Sequence, residues 1–129
     1  MAKRPAISRG EYDVARAVWD LGEASVGQVF ETLAERMEID YSTVQTYLRR
    51  LETKGYLRTR RDGRNKLYRP RIGAGQVVRE TVDDLLQRMF DGQPLGLWQH
   101  LIQDRGITKE ETQQLRRLIE QWEAEHDAG

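Results

Sequence analysis

The hydrophobic period of the chain changes near Tyr56, and this change limits the folds open to it. Before Tyr56, apolar residues recur at intervals of three and four, which indicates amphipathic helices. After it, the stretch "YLRTRRDGRNKLYRP" alternates apolar and charged residues on both sides of Asp62-Gly63, as β-hairpins do. The sequence therefore predicts a set of helices followed by one tight hairpin, with its turn at Asp62-Gly63.

Two capping-box pairs open the first two predicted helices, because a Ser side chain and a Glu or Gln three residues later can cap each other's backbone amides. The pairs are Ser8 with Glu11 and Ser25 with Gln28. Helical spacing predicts the buried stripes Val14, Ala15, Val18 and Leu21 in the first helix and Val29, Phe30, Leu33 and Met37 in the second.

The third predicted helix has one apolar face and one polar face. Asp40 and Ser42 both suit its N-cap, and Gly55 suits a left-handed exit. At 100° per residue, Val44, Leu48 and Leu51 fall together on the inward side. The outward side and its flanks carry hydrogen-bonding groups first and cations later: Ser42, Thr43, Gln45, Thr46, Arg49 and Arg50.

Three more helices are predicted after the hairpin, with Asp91-Gly92 and Pro94 between the first two of them. Their apolar stripes are Val78, Val82, Leu85 and Met89, then Leu97, Trp98 and Leu101, then Leu115, Leu118 and Trp122. Three short helices bury little by themselves, so we expect a second copy of the chain to cover these stripes. The alternative is that the stripes pack only within one chain.

These patterns define the fold class and the domains. The chain is predicted to be mostly α with a small β-hairpin, divided into a domain at 1–72 and a helical domain at 73–129. Its 129 residues suit one domain or one small domain with an appendage. No apolar run is long enough to span a membrane, and the N-terminus lacks a signal-peptide core, so a cytoplasmic protein is expected.

Charge is distributed unevenly along a chain whose net charge is zero. Residues 1–40 hold five basic and eight acidic side chains, a net of −3. Residues 41–71 hold ten basic and two acidic, a net of +8, and residues 72–129 hold six and eleven, a net of −5. A polyanion would therefore bind the middle of the chain and be repelled by its ends.

Enzyme and metal chemistry find little support in the residue types. Cysteine is absent and there are only two histidines, neither in a catalytic motif. The stretch "GAGQVV" lacks the Lys-Ser/Thr pair of a phosphate loop, and Asp83-Asp84 point about 100° apart on a helix. Glu123, Glu125 and His126 could touch a metal, although a frayed acidic terminus explains them better. We predict no catalytic residue, no metal site and no cofactor.

Three helices followed by a basic hairpin form the pattern of a winged helix-turn-helix. The third helix, at about 41–54, would enter the major groove, and the hairpin, at about 57–70, would be a wing on the flanking backbone. Base or phosphate contacts are predicted for the outward side of the third helix, and phosphate contacts for Arg60, Arg61, Arg64 and Lys66 in the wing.

Four alternatives stand beside this prediction. The arginines could form only a solvated face, and Ser42 and Thr43 could be capping residues alone. The module could also bind protein instead of DNA, without sequence-specific recognition of a duplex. A nucleic-acid enzyme is a further alternative, but it lacks an acid/base cluster.

The chain resembles the penicillinase repressor family, which shuts off β-lactamase and related resistance genes. The stretches "STVQTYLRRLETKGYL" and "RRDGRNKLYRP" are similar to the family's recognition helix and wing, and "ISRGEYDVARAVW" is similar to its opening. The resemblance implies a dimeric repressor that binds a palindromic operator through Thr43, Gln45 and Thr46 and through wing positions Arg64 and Tyr68. It also implies that the C-terminal helices form the dimer.

Two departures from the family follow from the residues present. Copper-responsive relatives sense metal through clustered cysteines, which this chain lacks. Penicillinase-type members are inactivated when a protease cuts an Asn-Phe bond, and the corresponding bond here is His100-Leu101. A regulatory protease is thus implied as a partner by the family, while the family's cleavage site is not kept.

Overall fold

The computed structural model of the chain describes residues 4–127 and confirms a mostly helical fold with one antiparallel hairpin. Three helices precede the hairpin, and helical segments follow it. The elements in chain order are α1 (Arg9–Leu21), α2 (Val26–Ala34), α3 (Tyr41–Lys54), β1 (Leu57–Asp62), β2 (Asn65–Pro70), α4 (Ala74–Phe90), α5 (Pro94–Gln99), a π-helix (His100–Gly106) and α6 (Lys109–His126).

The starts of α1 and α2 follow the predicted capping boxes, whereas the start of α3 lacks its predicted cap. Ser8 caps α1 and Ser25 caps α2, each through a reciprocal pair of hydrogen bonds with the residue three positions later. Asp40 occupies the N-cap position of α3, but its side chain makes no capping hydrogen bond. Ser42 lies inside that helix, so neither side chain provides the cap that the sequence predicted.

The first compact unit, Met1–Thr81, contains the hydrophobic core. One face each of α1, α2 and α3 packs inward, as predicted from Val14, Val29 and Leu48, which are completely buried. Two residues predicted to be buried are surface residues instead, with Leu21 43% and Met37 37% exposed. Both lie at or beyond a helix end, where the helical stripe leaves the core.

The hairpin pairs β1 with β2 from Leu57 opposite Pro70 to Asp62 opposite Asn65. Its turn residues are Gly63 and Arg64, one position later than predicted. Gly63 takes a φ of 65° at the first turn position, which is where glycine is required in a type II′ hairpin turn. A short bridge between Ala24 and Tyr68 adds a further pairing on the other side of β2, and no sequence pattern indicated it.

The second compact unit is Val82–Gly129, and it has no interior of its own among the residues described. No side chain from 82 to 127 is buried. Asp91 and Gly92, with φ of 52° and 77°, separate α4 from α5 as predicted. The predicted fifth helix is divided, since α5 ends at Gln99 and a π-helix follows it.

The boundary between the two compact units lies within α4, and the domain division at residue 72 stays a prediction. The first unit continues into α4 as far as Thr81, because Val77 on that helix is 2% exposed and belongs to the core.

Within residues 4–127, no helix is both long enough and apolar enough to cross a membrane.

Candidate nucleic-acid interface

Helix α3 is held by its apolar face, and this leaves its polar face outward. Val44, Leu48 and Leu51 are fully buried in the core. Since these three residues occupy one side of the helix, residues on the other side cannot reach the interior. Helix α3 therefore lies on the surface of the first unit, and the positions of Val44, Leu48 and Leu51 determine which of its sides is exposed.

The structure brings the predicted α3 residues together on this outward side. Ser42, Gln45, Arg49 and Arg50 are exposed, while Thr43 and Thr46 are half-buried. The Thr46 hydroxyl donates to the Ser42 carbonyl at 3.0 Å, which leaves its oxygen free to accept. Thr46, Arg49 and Arg50 also line one shallow surface groove with Thr53 and Lys54. The order of groups along the face is thus polar near the start of the helix and cationic near its end.

The end of α3 is fixed by a buried ion pair. The Lys54 ammonium lies 2.7 Å from the carboxylate of Glu11, which is 2% exposed. Lys54 also donates to the Ala6 carbonyl at 2.9 Å. Burial acts to raise the pKa of Glu11, but hydrogen bonds from Lys54 and Ser8 and the charge of Lys54 lower it overall. Glu11 therefore remains ionised and joins α1 to α3.

Two predicted wing cations lie close to the hairpin turn and are free of ion pairs. Arg64 is a turn residue and Arg61 lies one residue from the end of β1. Both are exposed, and neither forms a salt bridge within the part of the chain that the structure describes. We call Arg61 and Arg64 the wing tip. Their guanidinium groups are available to an anion without the loss of an existing partner.

The other two predicted wing cations are already paired with carboxylates. Arg60 contacts Glu23 through two hydrogen bonds, of 2.8 and 2.6 Å. The Lys66 ammonium lies 3.3 Å from Glu52 on α3. These hydrogen bonds, which Arg60 donates and Glu23 accepts, lower the pKa of Glu23 and raise the pKa of Arg60. Burial acts to lower the pKa of Lys66, but hydrogen bonds to Tyr68 and Glu52 raise it.

Tyr68 was expected to contact DNA from the wing, but it is buried. Its side chain is 2% exposed, and its backbone exchanges hydrogen bonds of 2.8 and 2.9 Å with Ala24. The Lys66 ammonium lies 5.2 Å from the centre of its ring. Tyr68 therefore packs in the core beneath the wing, where it is not available to a duplex, and we remove it from the predicted contact surface.

Sequence reasoning did not identify Glu11, Glu23 or Glu52 as partners of the basic segment. Glu11 was predicted as a capping residue, which it is, but its bond to Lys54 joins positions 43 residues apart. Glu23 and Arg60 are 37 apart. The separation of these pairs has no periodic signature, so only the folded chain shows them.

Metal ligation receives no support from the residues described. Across residues 4–127 there is no group of three or more His, Asp or Glu side chains placed to hold a metal ion. The His126 ring stacks on Trp122 at a centroid distance of 4.3 Å. Its Nδ1 donates to the Trp122 carbonyl at 2.8 Å, so this histidine has a local structural role near the end of α6.

Comparisons with known proteins identify relatives over nearly the whole chain. The profile of the family described as penicillinase repressor matches residues 7–121. The transcriptional regulator BlaI of Mycobacterium tuberculosis is 33% identical over 128 residues, covering 98% of this chain and 91% of that protein. The penicillinase repressor of Bacillus licheniformis is 26% identical over 121 residues, covering 94% of each.

A solved structure is similar to more than half of the chain. The monomeric form of Bacillus licheniformis BlaI in complex with the blaP half-operator is 32% identical. It matches 58% of this chain and 92% of that chain with a TM-score of 0.50. Since the family profile and a relative above 30% identity both extend over most of the sequence, this chain belongs to the penicillinase repressor family.

Proposed function

We propose that this protein is a transcriptional repressor that binds operator DNA through α3 and the wing tip. The observation that carries the proposal is the exposed polar and cationic face of α3, in a segment with a net charge of +8. The major groove of B-DNA accepts a helix of this kind, and flanking phosphates attract cations. Relatives are named as repressors, and one is solved with a half-operator, which supports the same function here.

The contacts divide by chemistry. Ser42, Thr43, Gln45 and Thr46 are short hydrogen-bonding groups near the start of α3, so they read base edges or the phosphates beside them. Arg49 and Arg50 are cations further along, and they hold the DNA backbone. Arg61 and Arg64 in the wing tip contact backbone on the flanking side, where their exposure leaves them accessible. This set retains the predicted α3 residues and the two unpaired wing cations.

The repressor acts as a homodimer through its C-terminal helices. The apolar residues predicted for this interface are exposed in the single chain: Val78 (50%), Val82 (39%), Leu85 (41%), Met89 (70%), Trp98 (56%), Leu101 (37%), Leu115 (37%), Leu118 (63%) and Trp122 (60%), with Leu97 half-buried. An apolar surface of this extent is costly in water. A second copy of the chain supplies the missing interior, since residues 82–127 bury no side chain by themselves.

Two-fold symmetry then links the dimer to its target. A homodimer presents two copies of α3 related by a two-fold axis, so its operator is palindromic, with half-sites one or more helical turns apart. Occupying such a site in a promoter blocks polymerase. This step gives the repression that the family name describes.

A selection experiment tests the proposal directly. Full-length protein is used to enrich duplexes from a random pool, and binding of the enriched duplex is measured over a series of salt concentrations. We expect a palindromic duplex whose affinity falls linearly on a double-logarithmic salt plot. Failure to enrich any duplex at low salt would reject DNA binding and favour the protein-binding module.

Substitution of two arginines separates DNA binding from protein binding. Arg49→Ala with Arg50→Ala removes two exposed cations from α3 without touching the apolar residues of α4, α5 or α6. Duplex affinity should fall while the dimer persists in sedimentation.

A regulatory protease that cuts near His100-Leu101 stays a prediction from the family resemblance. Mapping the fragments of the protein in induced cells tests it.

A further inference from the structure

The inner face of the wing is connected to α3 by one carboxylate. Side chains alternate across a hairpin, so Thr59, Arg61 and Lys66 share one face according to the strand register. Glu52 on α3 accepts from the Thr59 hydroxyl at 2.9 Å and from the Lys66 ammonium at 3.3 Å. It thus binds both strands of the hairpin. It also neutralises Lys66, which lies directly opposite Arg61 and would otherwise repel it.

The outer face of the wing is connected to the loop before α2 by a second carboxylate. Arg60 lies on this face, and its guanidinium makes the two hydrogen bonds to Glu23. Glu23 precedes Ala24, whose backbone pairs with Tyr68 of β2. The Arg60 bond therefore crosses the hairpin from β1 to the segment on the far side of β2. Glu23 and Glu52 together hold the wing from both faces.

We propose that Glu23 and Glu52 are positioning residues for DNA binding, and that Arg60 and Lys66 act by holding the wing instead of contacting phosphate. The inference rests on the proposed function and assigns new roles to four side chains within it. Arg60 and Lys66 are anchors, and phosphate contact belongs to Arg61 and Arg64. The specificity of the repressor then depends on an orientation of the wing relative to α3 that the two carboxylates fix.

Competition between anions gives the physical reason. A phosphate that took Arg60 would have to displace a carboxylate already bound through two hydrogen bonds, a geometry that arginine and carboxylate favour. Arg61 and Arg64 have no such partner among the described residues, so they bind phosphate without breaking an ion pair. A two-stranded hairpin is also marginally stable by itself, so attachment on both faces limits its motion.

Glu23→Gln distinguishes the two roles of Arg60 by the sign of the effect. The probes are the duplex enriched by the full-length protein and a shuffled duplex of equal length and composition. If Arg60 is an anchor, the ratio of the two affinities falls about two- to fivefold, the fold-change that corresponds to an exposed ion pair. If Arg60 contacts phosphate, its release from Glu23 strengthens binding to both duplexes and makes the salt dependence steeper, which would overturn the proposal.

Exchanging the charges of Glu23 and Arg60 gives a second test of the anchor role of Arg60. Arg60→Gln should reduce the affinity ratio in the same way as Glu23→Gln. The double variant Glu23→Arg with Arg60→Glu recreates the ion pair with its partners exchanged, so we expect it to restore the ratio. A phosphate contact would not be restored, because the double variant places a carboxylate where the cation stood. Loss of the ratio in the double variant contradicts the anchor role.

The inner anchor is tested with Glu52→Gln, which keeps an acceptor for Thr59 and removes the ion pair with Lys66. The matched control is Glu31→Gln, an exposed change on α2 that removes the same charge; among residues 4–127, no hydrogen bond or ion pair joins Glu31 to the wing. Glu52→Gln should lower the affinity ratio and the control should not. Equal effects of the two changes would reject positioning. Binding by the wild-type protein distinguishes failure of the proposed function from failure of the anchor roles. If the wild-type protein binds no duplex, the proposed function is rejected. If the wild-type protein binds normally and the variants keep the same affinity ratio, only the anchor roles of Arg60 and Lys66 are rejected.

Discussion

Lys54 and Glu11 form an ion pair of 2.7 Å that joins the last turn of α3 to the first turn of α1. Glu11 simultaneously completes the capping box of α1, since it accepts from the Ser8 amide at 2.9 Å. One buried carboxylate thus fixes the start of one helix and the end of another. The orientation of the helix that we propose enters the major groove depends on this junction.

Glu11→Gln should destabilise the first unit. The substitution preserves the size of the side chain but leaves the Lys54 ammonium without its counter-charge in a site that is largely removed from water. We expect a loss of about 1–3 kcal/mol in the free energy of unfolding, less than for a completely buried pair because Lys54 is partly exposed. Urea unfolding of the full chain measures it. Asp13→Gln removes a charge from the same helix and serves as the control.

The stability of the wild-type chain should also fall in acid. The folded pKa of Glu11 lies below its ordinary value of 4.5. A carboxyl group with a lowered folded pKa stabilises the fold above its unfolded pKa, and that stabilisation is lost as the pH falls through the folded pKa. The difference in unfolding free energy between wild type and Glu11→Gln should therefore shrink as the pH is lowered past 4.5. A constant difference would show that the charge of Glu11 is not the cause.

Gln45→Ala should reduce the discrimination between base pairs, whereas Arg49→Ala should reduce the affinity for DNA in general. Gln45 is an exposed amide on the outward face of α3, so its removal should cost about 1–3 kcal/mol of discrimination at one base pair of the enriched duplex. Arg49→Ala should weaken all duplexes similarly and reduce the salt slope by about 1. Binding to single-base variants of the duplex, measured at several salt concentrations, separates the two. Identical patterns would contradict the division between base reading and backbone contact.

Leu118→Glu should dissociate the dimer. The side chain is 63% exposed in the single chain, so a charge costs little there unless a second copy covers it. Burial of an unpaired carboxylate in an interface is strongly unfavourable. Sedimentation should show monomers for Leu118→Glu and dimers for Gln113→Glu, which adds the same charge to the other side of α6. A dimer that tolerates Leu118→Glu would place the interface elsewhere.

Local signals in the sequence determined most of the elements and the outward face of α3. The capping boxes at Ser8 and Ser25 involve residues three apart, and a helical stripe needs only a few turns to be recognised. The alternation around Gly63 identified the hairpin, although not the position of its turn, because Asp62-Gly63 and Gly63-Arg64 both suit a two-residue loop.

Only the tertiary structure decided which charged groups are free and which are paired. Arg60, Arg61, Arg64 and Lys66 are equivalent cations in the sequence, yet Glu23 and Glu52 pair with just two of them. The packing of the Tyr47 ring against Gly10, where an added Cβ would come within 2.7 Å of it, is equally invisible to any pattern. Periodicity reports which face of an element is buried. The partners of a side chain depend on contacts between distant segments, and these exist only once the helices and the hairpin have packed together.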